Sequence, residues 1–266
     1  MACFLVSCIV LFCFQSPEPE IEPDISLRLR KVDSTWVVKG INLTYGYIDL
    51  LIKQEEKDSL IARVVIPPLD SLVILKLGPG ERKAIAKAFN DQHTVDYYLG
   101  GDPKATKHDD NYLYILPFKK DKKYKVTQGF NGNFTHNSNH SRYAIDFQLE
   151  IGEPVHAVRE GIVIKVEEEF TKAGGKELLY EANRIIILHD DGTTASYVHL
   201  DYQGSLVEEG DEVARGQLIG YLGNTGYTRG PHLHFVVRKE DDLAIPIYFE
   251  GYPGLELRKN KKYYRK

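Results

Sequence analysis

The sequence holds 266 residues, 42% hydrophobic and 27% charged, with a formal net charge of −4. These proportions suit one large or two modest globular domains. The negative balance, with no basic cluster interleaved by aromatics, excludes an electrostatically driven nucleic-acid binder. All three cysteines, Cys3, Cys8 and Cys13, precede residue 14, so the remaining chain uses neither disulfides nor thiolate zinc ligands.

Residues 4–14 form an apolar run too short to span a bilayer as a helix. The run resembles the apolar region of a secretory signal peptide, although no Lys or Arg precedes it and no small-x-small cleavage site follows. The expectation is an exported protein of the periplasm or cell envelope. Alternating proline and acid over residues 16–24 reads as an extended spacer. Residues 1–23 are therefore taken as signal segment and linker.

Residues 24–105 carry short apolar runs, among them Trp36-Val37-Val38, Ile48-Asp49-Leu50-Leu51-Ile52 and Leu72-Val73-Ile74-Leu75. Turn signals such as Lys39-Gly40, Pro67-Pro68 and Gly78-Pro79-Gly80 separate them. This spacing predicts a small β-sandwich. With no catalytic constellation in it, the expectation is an accessory or interaction domain whose partner is a cell-envelope protein. Residues 81–90 show only a few helical features, and His93 is isolated and expected on the surface. The polar, turn-rich residues 100–111 mark a domain boundary. Residues 106–266 then predict a second all-β domain of antiparallel strands, with no long amphipathic helix.

Chemistry-bearing residues concentrate in this second domain. Seven of nine histidines fall between His136 and His234. In Gly230-Pro231-His232-Leu233-His234-Phe235, the two histidines stand at i and i+2 of a strand-like run, so both rings are expected on one face. Asp146 lies inside the apolar run Tyr143-Ala144-Ile145-Asp146-Phe147, where a carboxylate is costly unless paired or metal-bound. A catalytic zinc site takes three nitrogen or oxygen ligands and keeps one open position. On the residues alone, His136, His140, Asp146, His199, His232 and His234 are the candidates. Asn183 either orients a ligand or closes a loop, and His156 and His189 read as structural or exposed.

The order of segments resembles the LytM/lysostaphin-type zinc metallopeptidases of bacterial cell walls. It runs from Gln128-Gly129-Phe130-Asn131-Gly132 through Tyr143-Ala144-Ile145-Asp146 and Gly152-Glu153-Pro154-Val155 to Tyr197-Val198-His199-Leu200. Gly223-Asn224-Thr225-Gly226 and Gly230-Pro231-His232-Leu233-His234 complete it. The resemblance implies zinc held by His136, Asp146 and His234, with His136 preferred to His140. It implies that His199 and His232 are unligated catalytic histidines. Phe130 stands where some members carry a tyrosine, so a hydroxyl role there is left unassigned. The implied activity is hydrolysis of peptide bonds in peptidoglycan stem peptides or cross-links. Two other readings are a non-catalytic wall-binding module that activates another hydrolase and a lipoyl-like carrier barrel. The second explains none of the histidines and has no evident lysine at a hairpin tip.

Overall fold

The structure, a computed structural model, describes residues 23–120 and 122–265. The apolar run at residues 4–14 and nearly all of the proline-acid spacer lie outside the described residues. The chain divides into two compact units between Asp102 and Pro103.

The first unit contains two three-stranded sheets. In one, Thr35–Asn42 lies between Ile25–Val32 and Ser71–Gly78; in the other, Tyr47–Gln54 lies between Ser59–Ile66 and His93–Gly100. All four pairings are antiparallel. Strand alternation turns Ile48, Leu50 and Ile52 inward, where they are completely buried. There they join Val38, Ile66 and Ile74 in apolar clusters shared by both sheets.

Arg82–Gln92 is a helix of 11 residues, more regular than its sequence suggested. Ile85 and Phe89 are one turn apart and share a face, and Phe89 is buried. His93, expected on the surface, is half-buried. Its Nδ1–H donates to Phe89 O at 2.9 Å and its ring stacks on Phe89, so it closes the helix.

The second unit is built on one large sheet. Its main order is Glu212–Val213, Gly161–Glu167, Arg184–Leu188, Thr194–Val198, Leu233–Lys239, Ile145–Gln148, Lys123–Gln128 and Lys262–Tyr264. A smaller sheet places Leu218–Leu222 between Pro154–His156 and Leu200–Ser205. Between the sheets, Val163, Ile185, Ile187, Tyr197, Phe235 and Val237 pack with Val155, Ile219 and Leu222. Burial of this apolar surface is the main stabilising term.

Among the described residues, pairing departs from the antiparallel expectation at two places. Ala173–Gly174 runs parallel to Gly226–Tyr227, and Tyr248–Phe249 runs parallel to Leu113–Tyr114. Each pair spans two residues and joins distant parts of the chain, too short a run to leave a periodic signature. No helix among the described residues is long and apolar enough to cross a membrane.

Candidate metal centre

The site follows from strand alternation. Along Leu233–Lys239, Leu233, Phe235 and Val237 enter the main core, so His234 projects from the opposite face. Ile145 and Phe147 do the same for their strand and turn Asp146 to that same opposite face. The register then aligns one row across four strands: Val198 opposite His234, His234 opposite Asp146, and Asp146 opposite Gln128. His232 lies just before the strand proper, yet its ring reaches the same carboxylate.

His199 arrives by a different route. It links Thr194–Val198 of the large sheet to Leu200–Ser205 of the small one, with φ of 70°. A left-handed backbone is uncommon for a non-glycine residue, and strain of this kind collects at functional positions. His136 comes from the turn after Lys123–Gln128, where its N–H donates to Gly132 O. Gly129 is required in that turn: a Cβ there would lie 2.6 Å from Leu257 O.

Three rings are anchored through one nitrogen each. Nδ1–H donates to Gly129 O at 2.9 Å in His136, to Thr225 O at 2.7 Å in His199 and to Gly230 O at 2.8 Å in His232. In the neutral ring this fixes the tautomer and leaves a lone pair on Nε2. His136 Nε2 lies 3.1 Å from Asp146 Oδ1, and His232 Nε2 lies 3.8 Å from it. His234 Nδ1 approaches the same oxygen at 2.9 Å.

Nitrogen lone pairs facing a carboxylate oxygen repel unless a proton or a cation stands between them. Extra protons are disfavoured for two of the rings. Burial, with His232 and His234 nearby, pushes His199 down to about 3. Burial also lowers His234, despite the opposing pull of Asp146. Burial alone would raise Asp146, but the imidazoles of His136 and His234 at its Oδ1, with His232 beside them, hold it far below the usual carboxylate range. The ligand atoms of His136, Asp146 and His234 all lie within 4.8 Å of one another. This donor set fits a divalent cation.

The remaining candidates lie elsewhere. His140 turns Nδ1 to Asp242, 2.8 Å from Oδ2, and does not join the cluster. Asn183 is fully buried and closes a loop. It donates to Phe170 O and Asp201 O and accepts from Phe170 N. His189 is buried, donating from Nδ1 to Glu160 O, whereas His156 is partly exposed. Phe130 packs edge-on against Tyr143 at 5.3 Å and offers no hydroxyl.

Sequence reasoning missed the part played by Gln128. Its Nε2 donates to Asp146 Oδ2 at 3.0 Å, leaving Oδ1 to the imidazoles. Its Oε1 accepts from Phe134 N and Thr135 N, which ties the His136 turn to the aspartate. A glutamine at the end of a strand carries no distinguishing pattern; only the strand register reveals its partner.

Residues 140–246 match peptidase family M23. The chain is 34% identical over 134 residues to lysostaphin of Staphylococcus simulans, covering 50% of this chain and 24% of that protein. It is 39% identical over 96 residues to glycyl-glycine endopeptidase ALE-1 of Staphylococcus capitis, covering 36% and 24% respectively. With peptidoglycan DD-endopeptidase ShyA of Vibrio cholerae it shares 30% identity over 164 residues, covering 59% and 35%. Across these relatives the chain spans about a quarter to a third of their length.

Proposed function

We propose, on the premise that residues 140–246 match peptidase family M23, that the chain is a zinc-dependent endopeptidase acting on peptide bonds in peptidoglycan stem peptides or cross-links. One observation carries the reading: a single oxygen, Asp146 Oδ1, faces nitrogens of His136, His232 and His234 within 3.8 Å. His136, Asp146 and His234 would hold the ion, an all-nitrogen-and-oxygen set suited to catalytic zinc. Bound there, zinc would polarise the scissile carbonyl and lower the pKa of water.

The chain's own side chains supply positioning and proton transfer. Gln128 fixes the Asp146 carboxylate through Oδ2. His199, kept neutral by burial and locked through Nδ1 on Thr225 O, offers Nε2 to orient the attacking water. His232 retains some solvent access, with its side chain 18% exposed. It is therefore the ring that takes a proton from the water and delivers it to the leaving amine. A non-catalytic wall-binding module has no use for this complete set of three ligands and two further imidazoles.

We further propose that the protein acts outside the cytoplasmic membrane, in the periplasm or cell envelope, where such a substrate lies. The apolar run at residues 4–14 supports this. The first unit is proposed to bind a partner of the cell envelope. Incubation with purified cell walls is expected to release peptides only when zinc is present, with no release by His234→Ala. Release that persists in a zinc-free preparation or in that variant would overturn the assignment.

A further inference from the structure

The loop leading to His232 carries a group that this mechanism does not use. Arg229 is exposed, and its guanidinium carbon stands 3.9 Å from the centroid of the Phe134 ring. Phe134 is itself 44% exposed and lies two residues before His136. Tyr227, in the Arg229 loop, approaches Phe134 at 5.9 Å between centroids. The Phe134–Arg229 contact thus joins the turn carrying a metal-ligand candidate to the loop carrying the proposed proton shuttle.

Among the described residues, no hydrogen bond or ion pair engages Arg229. In contrast, Arg159, Arg184, Arg215 and Arg238 each hold a carboxylate. A guanidinium lying over an aromatic face is positioned through its π-surface, so its in-plane N–H groups remain available. Their fork matches a carboxylate bidentately, and partial ordering over the ring reduces the entropy lost on binding. Thr228, adjacent in sequence, stands 3.3 Å from His232 Nδ1, which keeps this loop close to the reacting centre.

We propose that Arg229, held over Phe134, is a specificity-determining residue that binds a free carboxylate on a substrate residue flanking the scissile bond. The protein then favours acidic peptides over neutral ones such as oligoglycine. This inference rests on the peptidase reading of the adjoining centre and adds a substrate class to it.

The test uses the full zinc-loaded chain and two synthetic stem-type peptides that differ only in a carboxylate or carboxamide beside the scissile bond. Hydrolysis and equilibrium binding are measured separately. Wild type is expected to favour the acid about tenfold, through KM and Kd, as suits one charge-assisted contact. Arg229→Gln is expected to level the pair, Arg229→Lys to keep part of the preference, and Phe134→Leu to reduce it without removing the charge. Equal handling of both peptides by wild type, or a preference that survives in Arg229→Gln, overturns the proposal. If both peptides are cut equally, the peptidase reading stands and only the role of Arg229 falls. If neither is cut, that reading falls, and the acid-to-amide ratio of Kd values still decides the role of Arg229.

Discussion

Asp146 is the residue on which the centre converges, and its two oxygens have separate duties. Oδ1 faces imidazoles, while Oδ2 accepts from Gln128. Replacing Gln128 by Ala frees the carboxylate to rotate and leaves Phe134 N and Thr135 N without their acceptor. Outer hydrogen bonds of this kind are worth roughly 10- to 100-fold in metal affinity. Gln128→Ala is therefore expected to weaken zinc binding by about that factor, measured by competition with a chelating dye; unaltered affinity would remove Gln128 from the centre. Asp146 was legible in the sequence because a carboxylate inside an apolar run demands a partner. Gln128 was not, because its partner is set by register across two strands. Nor was the contact between Phe134 and Arg229, which joins two loops far apart in the chain.

Among the elements, the passage from Thr194–Val198 to Leu200–Ser205 decides where His199 points. Two anchors hold it. Thr225 accepts from the His199 ring through its carbonyl, and its hydroxyl donates to Leu200 O. Asn183 ties Phe170 to Asp201 beside the same crossing, and its main-chain O accepts from Leu200 N. Asn183→Ala leaves several partly buried main-chain partners unpaired, at a cost on the order of 2–4 kcal/mol. A lower denaturant midpoint with an unchanged slope is the expected result; an unaltered midpoint would show that the loop is closed by other groups. Alternation of apolar residues made most strands readable, including those carrying Asp146 and His234. The helix Arg82–Gln92 and the two parallel pairs were hidden, the first by its weak pattern and the second by their brevity.

For the whole molecule, pH acts on folding through buried neutral groups such as His189. Burial pushes its ring down to about 4 from an ordinary 6.5, and among the described residues Nε2 has no hydrogen-bond partner. Between those values the unfolded chain binds a proton that the folded chain excludes. His189 therefore contributes stability that is fully present above pH 6.5 and is lost as pH falls towards about 4. At roughly 1.4 kcal/mol per unit, its share is about 3 kcal/mol. His189→Gln should flatten this limb of the stability curve measured by denaturant titration from pH 7.5 to 4.5; a variant that retains the full slope would assign the dependence to another group.

The proposed activity rests on dividing the imidazoles into ligands and non-ligands. The most direct measurement is bound zinc per chain after equilibration with limiting free metal, in wild type, His234→Ala, His199→Asn and His232→Gln. Asparagine is chosen at position 199 because it tolerates the left-handed backbone found there. One zinc per wild-type chain is expected, with loss in His234→Ala and retention of most metal in the other two, although both lose hydrolysis. Zinc-free wild type, or equal zinc loss in all three variants, would contradict the assignment.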